Sequence, residues 1–258
     1  MTLMLWSKMP SRWISEGKMR EHFSSGNKVS DDIAALKVFI VLCFFAKQVN
    51  RDNGYRSTDV FEAKATYDQL TEMCSLSRAL VSRGLKKLKL VGLLKSTGVR
   101  NKTYTFEGGA YKGWCKLPKR AIVKNEEKIP SLAAIHNRYT HERNALKLFL
   151  YLLASRSNRN TFVDLCRGTI AKQTGIPLDE IDGALGFLRS ISLVSKVEDK
   201  GFLANSIHRV QEERLHRYWV VGSESLNYKT YSVESGDSEF VRHPELYAAM
   251  NNPSSVGH

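Results

Sequence analysis

The strongest constraint on this chain is that it repeats itself. Trp6-Ser-Lys8-Met-Pro10-Ser-Arg12-Trp-Ile14 recurs as Trp114-Cys-Lys116-Leu-Pro118-Lys-Arg120-Ala-Ile122, and Ala35-Leu-Lys-Val-Phe-Ile-Val-Leu42 recurs as Ala145-Leu-Lys-Leu-Phe-Leu-Tyr-Leu152. A third block, Leu70 to Leu94, aligns without a gap on Ile170 to Val194, pairing Val81 with Ile181, Leu85 with Leu185 and Leu88 with Leu188. Three matches in the same order imply a duplicated unit, so one description of local structure has to serve both copies.

Each copy predicts a helix (about 31–47 and 142–155), a polar turn, and a short strand (60–63 and 161–164). A second helix (66–74 and 167–174) and a third (78–91 and 178–191) follow, separated by the tight turns Cys74-Ser-Leu-Ser77 and Thr174-Gly-Ile-Pro177. Those turns supply a cap or first-turn residue for the third helix. Val81, Leu85 and Leu88 recur at i, i+4, i+7 and mark its core face. A β-hairpin closes each copy, 93–96 with 102–106 and 193–197 with 217–221. The fold class expected is mainly α with small β-hairpins, an α+β arrangement of two tandem winged helix-turn-helix domains. The expected division is an N-terminal arm (1–30), a first domain (31–110), a connecting arm (111–141), a second domain (142–222) and a polar tail (223–258).

Thr66-Tyr-Asp-Gln-Leu70, Ser77-Arg-Ala-Leu-Val-Ser-Arg-Gly-Leu-Lys-Lys-Leu88 and Val91-Gly-Leu-Leu94 together resemble the helix-turn-helix signature of bacterial winged-helix regulators and of plasmid or phage replication proteins. Two such units in one basic chain are similar to the tandem winged-helix plasmid initiators. That resemblance implies sequence-specific double-stranded DNA binding, most naturally as a replication initiator or origin-binding protein of a bacterial mobile element. A dimeric winged-helix transcriptional regulator is the alternative, and a DNA partition or structural protein a weaker one.

Charge points the same way. The net charge is +13, which draws a polyanion from long range. It is unevenly spread: 75–102 holds eight basic residues and no acid, whereas 175–199 holds two basic and five acidic residues. The third helix of the first copy is therefore the expected reader of DNA, with Ser77, Arg78, Ser82, Arg83 and Lys86 toward base edges. Arg suits that role because its planar fork matches the two acceptors of guanine. Lys87, Lys89, Lys95, Arg100 and Lys102 are expected on phosphates. In the second copy, Arg209, Arg214 and Arg217 form a possible second DNA contact within the long excursion 195–215, and Phe187 and Ile191 a possible dimer interface. In the tandem initiators the second unit commonly carries the principal DNA contacts, so these assignments depart from that pattern.

The remaining features exclude rather than assign. The longest apolar run, Val38 to Ala46, has nine residues, against roughly 20 needed to span a bilayer, and Lys8 interrupts the first segment before an export signal can form. A cytoplasmic, nucleoid-associated protein without membrane contact is expected. Cys43, Cys74, Cys115 and Cys166 lie more than thirty residues apart, as reduced core thiols would. His136, Tyr139 and His141 lack a paired set of carboxylates, Asp179, Glu180 and Asp182 suit the first turn of a helix, and no phosphate-binding glycine loop occurs. No enzymatic activity, metal or other cofactor is therefore expected. The partners expected are double-stranded DNA and a second copy of the chain as a homodimer, with replication or transcription machinery as a further candidate. The Trp-containing arms admit two readings, base stacking by the tryptophans or packed strands that buttress each unit.

Overall fold

The duplicated stretches fold into matching successions of elements, except that among the described residues the first has one strand more. The computed structural model describes residues 4–52, 57–98, 102–107, 113–124, 128–202 and 213–224. The first copy runs β1 (Ser7–Pro10), α1 (Arg12–Ser15), α2 (Lys18–His22), α3 (Val29–Phe45), β2 (Ala46–Asp52), β3 (Ser57–Lys64), α4 (Tyr67–Cys74), α5 (Arg78–Leu90), β4 (Leu94–Thr97) and β5 (Thr103–Phe106). The second runs β6 (Trp114–Leu117), α6 (Lys119–Ile122), α7 (Pro130–Ala133), α8 (Thr140–Ser155), β7 (Val163–Cys166), α9 (Arg167–Thr174), α10 (Leu178–Ser190), β8 (Val194–Phe202) and β9 (Arg214–Val220). Helices and small antiparallel sheets are thus mixed, and Met1–Asn227 forms one compact unit containing both copies. The polar tail lies outside the described residues beyond Glu224.

Local sequence explains the helix boundaries. Thr66 and Gln69 form a capping box at the start of α4, with Gln69 N–H donating to Thr66 Oγ1 at 3.2 Å and Thr66 N–H donating to Gln69 Oε1 at 2.9 Å, which satisfies two otherwise orphaned donors. The helix stops where Ser75 turns left-handed (φ 50°), and Gly175 does the same after α9 (φ 69°). Ser77 then caps α5, its Oγ accepting from Leu80 N–H at 3.3 Å.

Each copy builds its own sheet, with strand order β2-β3-β5-β4 in the first and β7-β9-β8 in the second. The sheets differ where the sequence diverges. Residues 46–52, with 46–47 expected to end the helix and the rest to belong to a polar turn, form β2, which pairs along its length with β3. An edge strand buries little, so a polar one leaves no apolar alternation to read. In the second copy the described parts of the excursion 195–215 continue the hairpin, since β8 and β9 stay paired out to Phe202 and Arg214 through two register shifts.

A helix with apolar residues on every side has to be covered on every side, and α3 and α8 cover one another. Their buried lysines link the copies reciprocally. Lys37 Nζ donates to the carbonyl of Ile135 at 3.1 Å, and its repeat counterpart Lys147 donates to the carbonyl of Phe23 at 2.9 Å. The arms obey the same symmetry. β1 and β6 pair antiparallel with Lys8 directly opposite its own counterpart Lys116, so a local two-fold passes between them. Trp6 stacks on Trp114 (5.8 Å between centroids, 8° between planes), Lys8 Nζ sits over the Trp114 ring and Lys116 Nζ over that of Trp6, each at 5.0 Å. Both tryptophans are thereby engaged by protein, the second of the two readings open to the arms.

Candidate nucleic-acid interface

The packing of α5 decides which of its side chains reach solvent. Gly84 sits where the helix crosses α3: a Cβ there would lie 2.8 Å from the carbonyl carbon of Ala34. With Val81, Gly84, Leu85 and Leu88 buried, the opposite face carries Ser77, Arg78, Ser82, Arg83, Lys86 and Lys89, all exposed. The structure therefore leaves all five expected base-reading residues exposed, from the N-cap Ser77 to Lys86 within the first three turns of one helix.

Two of its cations are tethered at the surface. Arg78 is paired with Asp68 of α4, and Arg83 Nε lies 3.3 Å from Asp31 at the start of α3. Exposed pairs of this kind contribute at most about 1 kcal/mol, so a phosphate or a guanine can displace the carboxylate. The pairs do not neutralise the face, because Lys86 and Lys89 have no ionic partner among the described residues.

Lys87 requires a correction. Expected on phosphate, it turns inward: its side chain is only 15% exposed, its Nζ lies 3.5 Å from Asp32 Oδ1, and it sits over the ring of Phe23 at 5.9 Å. Asp32 is itself buried and is approached from the second copy by Arg143 at 3.6 Å. Burial pushes its carboxyl above the usual range, while Lys87 and Arg143 pull it back down. Lys87 therefore anchors α5 to the start of α3 instead of projecting from its exposed face. Of the other expected phosphate contacts, Lys95 is exposed and paired with Glu107 at 2.9 Å, and Lys102 lies over Tyr67 at 4.9 Å. Arg100 lies outside the described residues.

The same tie between second and third helices occurs in the second copy with its charges reversed. There the base, Arg167, is on α9 and the acid, Asp182, on α10, 2.6 Å apart. Asp179 is exposed, and Glu180 accepts from Asn144 Nδ2 at 2.5 Å. A phosphate approaching α10 as it would approach α5 meets carboxylates.

The second-copy arginines are held by protein groups. Arg217 makes two hydrogen bonds to Asp164, at 2.8 and 2.7 Å, which hold that carboxyl below its usual range. Arg214 pairs with Asp199, whose carboxyl it lowers to about 2, and lies over Phe202. Arg209 lies outside the described residues. The expected dimer interface also needs correction. Ile191 is only 9% exposed, because α10 ends there and the left-handed turn at Ser192 folds it into the core. Phe187 is half-buried, edge-on to His141 at 5.1 Å.

What the sequence reading missed is a set of rings on the outer face of the second sheet, Phe162 and Trp219 with Lys196 beside them. The alternation His216, Arg217, Tyr218, Trp219, Val220 carried that signal, since every second residue of a strand faces the same way. No protein-family model, curated protein or solved structure matches the chain.

Proposed function

We propose that each copy is a winged helix-turn-helix domain and that the chain binds double-stranded DNA with α5 in the major groove. The reading that follows is a replication initiator or origin-binding protein of a bacterial mobile element. The observation that carries it is the exposed basic face of α5, set against the carboxylates that occupy the equivalent end of α10. Arg78, Ser82, Arg83 and Lys86 lie within reach of one another, the arrangement a groove-reading helix needs. Lys89 and Lys95 flank them for phosphate contacts.

The reciprocal bonds of Lys37 and Lys147 bear on the number of chains required. Two copies already meet around a local two-fold inside one chain, and only one of them has a basic third helix. One chain then reads one asymmetric site, which suits directly repeated sites in an origin better than the inverted repeats of a dimeric regulator.

Immunoprecipitation of the tagged protein from its host, with footprinting of the strongest peak, tests the assignment. Same-direction sites clustered at one replicon locus are expected. Inverted repeats at promoters would replace the initiator by a regulator, and no enrichment over bulk DNA would overturn sequence-specific binding.

A further inference from the structure

The face of β7, β9 and β8 that turns away from α9 and α10 combines rings with cations. Tyr218 and Val220 of β9 point into the core, which leaves Arg217 and Trp219 on the other side. Trp219 lies opposite Lys196, whose Nζ sits 4.8 Å above its ring. Arg217, fixed by both oxygens of Asp164, lies 3.7 Å from the centre of the Phe162 ring and 6.0 Å from that of Trp219. The two rings are 5.9 Å apart. Lys196, Trp219, Arg217 and Phe162 thus form one continuous strip.

On this face Trp219 and Phe162 are half-buried, each with a cation over its ring, and packing alone does not call for two large rings there. The acids on this face are engaged by its cations, Asp164 by Arg217 and Glu198 by Lys196 at 3.7 Å and Lys200 at 3.1 Å, so three cations meet two carboxylates and the strip keeps a small positive excess. Rings beside fixed cations are what an unpaired strand uses: bases stack on the π-faces while their phosphates lie along the positive rim. Duplex DNA cannot use such a strip, since its bases already stack on each other and present only their edges.

We propose that this face binds single-stranded DNA by base stacking on Trp219 and Phe162, with Lys196 and Lys200 toward the phosphates. The proposal goes beyond duplex binding by α5, and it supplies what a protein acting at an opened origin needs, a hold on the separated strand.

The test is fluorescence anisotropy of a labelled oligothymidine of about 12 nucleotides with the full chain, alongside a duplex probe. The wild type is expected to bind the single strand with quenching of tryptophan emission. Trp219→Ala and Phe162→Ala should each weaken binding roughly 5- to 100-fold, Trp219→Phe should recover most of it, and duplex binding should be unchanged throughout. Lys196 is 62% exposed, so Lys196→Glu should fold normally and also weaken the single-strand complex, even if an alanine variant does not fold. Failure of the wild type to bind, or equal binding by Lys196→Glu and the folded alanine variants, overturns the proposal. Equal losses on single strand and duplex also overturn it, as does a Trp219-dependent self-association without strand binding. Unchanged duplex binding in an α5 variant with the single-strand complex intact would count against α5 alone.

Discussion

Lys37 and Lys147 occupy the same position in the two copies, and each donates its ammonium to a backbone carbonyl of the other copy. Burial lowers both to about 8 from an ordinary value of 10.5. Above pH 8 the folded chain releases these protons while unfolded lysines still hold theirs, so stability should rise with pH. The buried thiols act in the opposite sense. Burial raises Cys43, Cys74 and Cys115 above 9.0, Cys115 to about 12, so ionisation of unfolded cysteines removes stability beyond about pH 9. Urea denaturation should therefore show a maximum near pH 9. The double variant Lys37→Met/Lys147→Met should lose the rise between pH 8 and 9, and an unchanged rise would remove the lysines as its cause.

Asp32 connects three parts of the molecule, α3 on which it sits, Lys87 of α5 and Arg143 of α8. Removing one member of a buried charge cluster leaves the others uncompensated, a loss of about 3–5 kcal/mol. Asp32→Ala should lower unfolding free energy by that order in urea titration. A loss near zero would mean that water reaches the two cations.

At Gly84 the backbones of α5 and α3 approach too closely for a side chain. Gly84→Ala should destabilise by about 1–3 kcal/mol through overpacking, although alanine is the better helix former. The aligned position in the second copy already holds alanine, Ala184, fully buried, so a small residue is required there too. A gain of stability in Gly84→Ala would show that the helices can move apart freely.

Much of this was legible in the sequence. The ends of α4, α5, α9 and α10 fall within a residue of the expected positions because caps, left-handed turns and apolar spacing are all local. Three features were not local. The pairing of β1 with β6 joins segments a hundred residues apart, and only their shared Trp-x-Lys-x-Pro pattern hinted at it. The strand β2 carries no apolar alternation. The inward turn of Lys87 depends on Asp32 lying beneath it, which helix periodicity cannot reveal, so an apparent phosphate contact became an anchor. Ile191 failed as an interface residue for a related reason: the turn after α10, not the helix itself, decides its burial.

The central claim is that α5 reads DNA, and Arg83 tests it most directly, since the side chain is exposed and its tether to Asp31 is weak. The measurement is anisotropy on a duplex selected from a random library, comparing wild type and Arg83→Ala in about 150 mM salt, where phosphate contacts alone bind weakly. The prediction is a roughly 5- to 100-fold loss on the selected site, with little change on unrelated duplex and an unchanged fold. Equal binding of the selected site by both proteins would contradict the assignment of α5 as the reading helix.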